Sequence, residues 1–246
     1  MYFFFSDLHL GLGSRESNRD REQALLRFLT MVREERADGL FIVGDLFDYW
    51  FEYRSVIPRG FSRTLGAIAA LTDAGIPVEY LMGNHDFGHR DFFEEELGVR
   101  VHGGDIERTL AGRRCYLSHG DGKAFNDTGY LILKKVLRNR LTNSLFRFIH
   151  PDIGIGAASY ASKRSRDHTT QKNYQGERSG ESDGLYAFAE RKIVQEGYQL
   201  VVMGHSHMPR RVDLSGGTYI NLGTWLRDRS YLALDENVLE LRRFEK

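Results

Sequence analysis

An α/β fold with a mainly parallel sheet is predicted by three features of the sequence. Short, nearly continuous apolar runs at Tyr2 to Ser6, Leu40 to Val43 and Val78 to Met82 suit strands buried on both faces, the last interrupted by Glu79. Segments with helical apolar spacing separate these runs. Residues carrying oxygen or imidazole donors follow each run, at the carboxyl ends where an open parallel sheet gathers its ligands.

The first run has no basic segment before it and is cut by Asp7, which marks a strand and not a signal peptide. Asp20 to Arg36 then places Leu25, Phe28, Leu29 and Val32 along one helical face, and Thr64 to Ala74 does likewise with Leu65, Ile68 and Leu71. Beyond the third run, Ile106 to Leu110 and Arg114 to Ser118 flank an Ala111-Gly112 turn. A helix is expected at Asp183 to Glu196. Strands follow at Leu200 to Met203, Thr218 to Leu222, Tyr231 to Leu234 and Val238 to Phe244.

A chain of 246 residues with 41% hydrophobic and 28% charged residues can build a full core without staples. Its single cysteine, Cys115, excludes an internal disulfide framework and fits a reducing compartment. No stretch reaches the roughly 18 apolar residues of a membrane span. The expectation is a cytoplasmic protein with at most peripheral contact to the inner membrane.

Zero formal net charge hides an uneven distribution. Between Lys123 and Arg178 there are eleven Lys or Arg against four Asp or Glu, a balance of +7 that leaves −7 for the rest of the chain. The same stretch contains no convincing strand and interrupts the α/β pattern, so residues 123–180 read as an inserted helical cap on a core made of 1–122 and 181–246. Within it, one helix is expected from Asp127 with Tyr130, Leu133, Val136 and Leu137 on a face. A second carries Leu141, Leu145, Phe146, Phe148 and Ile149 before Pro151, and a third runs from Ile153 to about Arg166. Asp167 to Gly180 is polar and reads as a returning loop.

Five stretches carry metal-ligand chemistry: Asp7-x-His9, Gly44-Asp45, Gly83-Asn84-His85-Asp86, His119-Gly120-Asp121 and Gly204-His205-x-His207. Together they can hold two divalent ions. Oxygen and imidazole donors without a thiolate favour Mn²⁺, Fe²⁺ or Zn²⁺ over a structural zinc cage. Each motif alone is weak, but five in this order are specific. The remaining histidines, His89, His102, His150 and His168, read as ordinary surface residues.

This order of motifs resembles the calcineurin-like metallophosphoesterase superfamily. The resemblance implies two facing mixed β-sheets flanked by helices, a four-layer sandwich. It also implies that Asp7, His9, Asp45 and His207 hold one metal and that Asp45, Asn84, His119 and His205 hold the other, with Asp45 bridging. His85, which is not a ligand in the superfamily, would act near the phosphoryl oxygens as a catalytic acid or charge stabiliser, with Asp86 orienting its ring. Asp48 completes a G-D-x-x-D pattern and would orient a ligand.

More narrowly, Gly44 to Trp50, Gly83 to Phe87, His119 to Gly122 and Gly204 to Pro209 resemble the bacterial UDP-2,3-diacylglucosamine diphosphatases. Those enzymes use Mn²⁺ to release UMP and an acylated sugar phosphate in lipid A synthesis, beneath a helical insertion that holds the acyl chains. They carry Arg where this chain has His85. Two other classes remain open: a metallohydrolase of another nucleotide, cyclic nucleotide or lipid phosphodiester, and a non-catalytic scaffold, which is expected to have lost several of the ligands retained here.

A basic, apolar cap fits an amphiphilic phosphate-containing small molecule, and Lys163, Arg164, Arg166 and Lys172 are the candidate phosphate-binding residues. A basic surface also suits anionic lipid headgroups. No aromatic-interleaved basic run or RNA-binding signature is present, so no nucleic-acid partner is expected. Tyr49-Trp50-Phe51 and Trp225 are equally suited to packing and to substrate contact. Asn221-Leu222-Gly223-Thr224 follows the last motif closely enough to approach the site.

Overall fold

The computed structural model describes residues 1–123, 139–154, 156 and 177–245. Apolar strands there form two mixed sheets. The first has the order β11-β10-β1-β2-β3-β4, built from β1 (Tyr2–Phe5), β2 (Gly39–Val43), β3 (Val78–Leu81), β4 (Arg100–His102), β10 (Ser230–Leu234) and β11 (Leu239–Arg243). The second has the order β5-β6-β7-β9-β8, from β5 (Ile106–Leu110), β6 (Arg113–Ser118), β7 (Leu200–Met203), β8 (Arg210–Leu214) and β9 (Gly217–Asn221). Strands β1 to β4 run parallel, as do β6, β7 and β9, while the outer pairings are antiparallel.

Three apolar clusters hold four layers together. Phe4, Phe41, Val43 and Leu81 of the first sheet meet Leu117, Leu200, Val202 and Ile220 of the second. The opposite face of the first sheet, with Phe3, Phe5 and Ile42, is covered by α1 (Arg15–Glu34) and α2 (Ser62–Asp73). The outer face of the second packs Tyr116, Val201 and Tyr219 under Leu185, Ala189 and Ile193 of a helix at Glu177–Val194. Strands covered on both sides need continuous apolar sequence, which is why β1, β2 and β7 were legible as such.

Helix α1 begins at Arg15, ahead of the expected Asp20. Its cap is Ser14, whose side chain accepts from Ser17 N at 3.1 Å, so a polar first turn precedes the apolar stripe that marks the buried face. Phe28 on that stripe touches Phe3, Phe5, Trp225, Tyr231 and Phe244. Truncating such a side chain to Ala typically costs about 3–5 kcal/mol. A short helix, α3 (Phe92–Glu95), follows β3, and the buried Glu52 carboxylate caps it through Arg90 N, Asp91 N and Phe92 N at 2.6, 3.0 and 3.2 Å. Sequence pattern missed β4 and β8, the first because it is three residues long and the second because it is a polar edge strand.

Of the cap, residues 123, 139–154, 156 and 177–180 are described. Helix α4 (Arg140–Phe146) is capped by Asn139, which accepts from Leu141 N at 2.8 Å, and 151–154 form a further helical turn. Phe146 packs on Phe51 at 4.8 Å and Arg147 Nε donates to Glu52 O at 2.9 Å, which ties this segment to the core. Leu141, Leu145, Phe148 and Ile153 are exposed. The cap helix expected from Asp127 and the basic run after Ala157 lie outside the described residues. Helix α5 (Glu177–Val194) is already helical at 177–180, where a loop was expected, and so crosses the expected boundary between cap and core. Among the described residues no helix is long and apolar enough to cross a membrane.

Candidate metal centre

Both groups of parallel strands end on one edge of the sandwich, and the five motifs meet there. Asp7 follows β1, Asp45 follows β2, Asn84 follows β3, His119 follows β6 and His205 follows β7. Five of these residues take left-handed backbone conformations: Asp7 (φ 55), His9 (φ 49), Asp45 (φ 55), His205 (φ 69) and His207 (φ 56). Each costs a non-glycine residue of order 1 kcal/mol or more, so the fold holds strain where the donors converge. The paired motif glycines explain how so many side chains fit. A methyl group on Gly44 (φ 85) would overlap the His119 ring, and one on Gly83 or Gly204 would overlap the carboxylate of Asp45 or Asp7.

Two sets of donors share one carboxylate. His9 Nε2 and His207 Nε2 lie 3.1 Å apart, and Asp7 Oδ1 is 3.8 and 3.2 Å from them. On the other side, Asn84 Oδ1 is 3.0 Å from both His119 Nε2 and His205 Nδ1. Between the sets, Asp45 Oδ2 lies 3.4 Å from His119 Nε2 and 3.8 Å from His9 Nε2. Backbone amides fix the remaining oxygens: His205 N donates to Asp7 Oδ2 at 3.0 Å and His85 N to Asp45 Oδ1 at 2.9 Å.

Divalent cations fit this arrangement. Asp7 Oδ1 is buried and has no hydrogen bond, yet imidazole nitrogens crowd it. Spacings of 3.1 to 3.8 Å are those of ligands arranged around a common cation roughly 2.1 Å from each. Asp7, His9 and His207 form one such group and Asp7, Asp45 and His119 another, each with all donor atoms within 4.8 Å. His85 also comes within this distance of His9 and Asp45.

Electrostatics point the same way. Burial opposes charge on His119, but the Asp45 carboxylate outweighs it and holds the imidazole pKa up to about 10. Burial likewise opposes charge on Asp45, and His119 and His85 keep its pKa well below the carboxylate range. His9 is raised despite burial by Asp48 and Asp45, whereas burial pushes His207 down. The site therefore demands positive charge, which protons or metal ions supply.

Asp86 sits elsewhere than expected. It is fully buried, and its carboxylate accepts from Gly83 N at 2.8 Å, Phe47 N at 3.3 Å and the Tyr80 hydroxyl, which clamps the β2 and β3 loops together. The carboxylate facing the His85 ring is Asp48, whose Oδ1 is 3.9 Å from His85 Nδ1 and 3.6 Å from His9 Nδ1. His85 is half-buried, so its ring borders the open side of the centre.

Arg21 shapes the site without having been singled out from sequence, whereas the Asn221 to Thr224 segment approaches it as expected. Arg21 donates through Nη2 to His9 O at 3.3 Å and to Leu12 O; a charged residue on the buried stripe of α1 was the available signal. Thr224 Oγ1 and Trp225 N donate to Asp7 O at 2.9 and 3.1 Å, and Asn221 Nδ2 donates to Gly204 O at 2.7 Å, so the Asn221 to Trp225 segment supports the ligand loops from behind. Trp50 and Trp225 are core residues, each 1% exposed. His89 is not a surface residue: it is buried against Trp50, Tyr80 and Phe93, with Nδ1 3.5 Å from Glu52 Oε1. His102 is half-buried beside Glu79 at 2.8 Å, while His150 is exposed as expected. His168, Lys163, Arg164, Arg166 and Lys172 lie outside the described residues.

A cleft of about 510 Å³ opens beside Asp48. Leu10, Tyr49, Ile57 and Phe61 line it on the core side and Pro151 on the cap side, with Arg59 among them.

Known proteins resemble this chain in sequence and fold. The sequence is 33% identical over 257 aligned residues to UDP-2,3-diacylglucosamine hydrolase of Porphyromonas gingivalis, covering 99% of this chain and 97% of that one. It is 27% identical to the protein of the same name from Haemophilus ducreyi, over 97% and 98% of the two chains. The fold resembles that of a solved archaeal phosphodiesterase with a TM-score of 0.50 and 12% identity, covering 98% of both chains. The family model of calcineurin-like phosphoesterases matches residues 2–209, the span that contains all five motifs. A sandwich of this topology, with those motifs convergent at one edge, makes the chain a member of the calcineurin-like phosphoesterase family.

Proposed function

We propose that this chain hydrolyses the pyrophosphate of UDP-2,3-diacylglucosamine, releasing UMP and 2,3-diacylglucosamine 1-phosphate in lipid A synthesis, with two Mn²⁺ ions. The observation that carries the reaction class is the position of Asp45 Oδ2 between the His9 and His119 nitrogens, at 3.8 and 3.4 Å. Relatives bearing that substrate's name at up to 33% identity, aligned nearly end to end, support the substrate.

In this reading Asp7, His9, Asp45 and His207 hold one ion, and Asp45, Asn84, His119 and His205 the other. When bound, such a pair of ions activates solvent and neutralises charge on the phosphoryl oxygens. No protein nucleophile is required. His85, on the open side and faced by Asp48, donates a proton to the departing oxygen or stabilises its charge. Asp86 acts by position, holding the two loops that carry Asp45 and Asn84.

The cap, residues 123–180, covers the core at 1–122 and 181–246 and receives the apolar part of the substrate. The exposed Leu141, Leu145 and Phe148 and the apolar cleft beside Asp48 support this role. Lys163, Arg164, Arg166 and Lys172 are assigned to the phosphate-bearing part on sequence grounds. The protein works in the cytoplasm, touching the inner membrane peripherally where its amphiphilic substrate resides.

Turnover of UDP-2,3-diacylglucosamine, followed by release of UMP from the Mn²⁺-loaded full chain, tests the proposal. The expected result is faster turnover of this substrate than of UDP-sugars without acyl chains or of cyclic nucleotides. Preference for a phosphodiester in that panel would replace the substrate and leave the reaction class standing.

A further inference from the structure

A second cleft, of about 410 Å³, lies between the start of α1, the loop after β9 and the end of β11, and hydrolysis at the metal centre gives it no role. Its wall holds the main chain of three metal-centre residues. Arg21 Nη2 donates to His9 O at 3.3 Å, Arg227 Nη2 to His207 O at 3.1 Å, and Trp225 N to Asp7 O at 3.1 Å.

Four arginines, Arg21, Arg227, Arg229 and Arg243, meet three carboxylates, Asp20, Asp228 and Glu245, so the cleft has one positive charge in excess. Two pairs are formed, Arg229 with Asp20 at 2.6 Å and Arg243 with Asp228 at 3.4 Å. Among the described residues, neither Arg21 nor Arg227 has a carboxylate within 4.0 Å. The loop that presents Arg227 is held in a costly shape. Arg229 has φ 47, and it is kept there by its N–H donating to Thr224 O at 3.2 Å and its carbonyl accepting from Phe244 N at 2.9 Å.

We propose that this cleft binds an oxyanion of the phosphate class. A guanidinium presents several N–H donors in a plane that matches the oxygens of such an anion, and Arg227 is exposed with most of its donors uncommitted. Because the same wall supports Asp7, His9 and His207, occupancy of the cleft is coupled to the metal centre, and the coupling is reciprocal. The inference stands whichever phosphoester the centre cleaves.

Calorimetric titration of the metal-loaded full chain with inorganic phosphate tests it, with Arg227→Glu and Arg243→Glu as separate variants. The expected result is a phosphate site weakened about tenfold or more in each variant, distinct from any phosphate held at the metals, which Arg243→Glu, with no contact to a metal ligand, retains. Both side chains lie at the surface, Arg243 71% exposed, so unchanged thermal midpoints accompany the loss. A crystal soaked with tungstate is expected to show its anomalous signal between Arg227 and Arg243. Phosphate isotherms that neither variant weakens, or tungstate confined to the metal centre, overturn the proposal.

Discussion

Asp48 Oδ1 faces Nδ1 of His85 at 3.9 Å, although the neighbour of His85 in sequence is a different aspartate. A carboxylate facing that ring nitrogen orients the imidazole, which borders the open side of the centre.

His85→Ala is therefore expected to slow alkyl phosphodiesters more than aryl esters or pyrophosphates. A phosphate monoester leaves readily, since its second pKa is roughly 6, whereas an alkoxide needs a proton. Asp48→Asn is expected to follow the same order with a smaller loss, about tenfold or more on the alkyl ester. Steady-state rates over a leaving-group series check both, and equal losses across the series would remove the acid role.

Asp45→Ala is expected to abolish metal-dependent turnover, because one oxygen faces both sets of donors. Metal content per chain, measured by mass spectrometry after dialysis, is expected to fall from two ions to one or none. A variant that keeps two ions and near-normal rate would refute the bridging position.

Asp86→Ala is expected to act on stability first. It strands the Tyr80 hydroxyl and the Gly83 and Phe47 amides in a buried site, a loss on the order of 3 kcal/mol. Urea denaturation measures it. A fully stable variant with lost activity would instead make Asp86 a participant in the chemistry.

Glu52 predicts an acid-sensitive component of stability. Burial opposes its charge, but His89, Trp50 and three amides hold its pKa near about 2, against 4.5 unfolded. The stabilisation is complete above pH 4.5 and is lost as pH falls towards 2, on the order of 3 kcal/mol. Glu52→Gln is expected to be less stable than wild type at neutral pH, with the difference shrinking through that window. A difference independent of pH, in unfolding free energies from pH 2 to 7, would show that the carboxylate charge is not the cause.

The motifs and the buried strands were determined by sequence alone, because ligand chemistry and two-sided burial leave direct marks: Asp7 to His207 in order, and Phe3-Phe4-Phe5 or Leu200-Val201-Val202 as unbroken apolar runs. Only the tertiary structure decided which partner each polar group serves. Asp86 adjoins His85 in its motif and Asp48 belongs to another, yet the fold turns Asp86 into a clamp beneath the loops and Asp48 towards the ring. Arg21 and Thr224 support the carbonyls of the ligands His9 and Asp7, Asn221 supports that of Gly204, and His89 is a core residue because α3 folds over it. Such roles depend on contacts between distant segments, which periodicity and spacing do not encode.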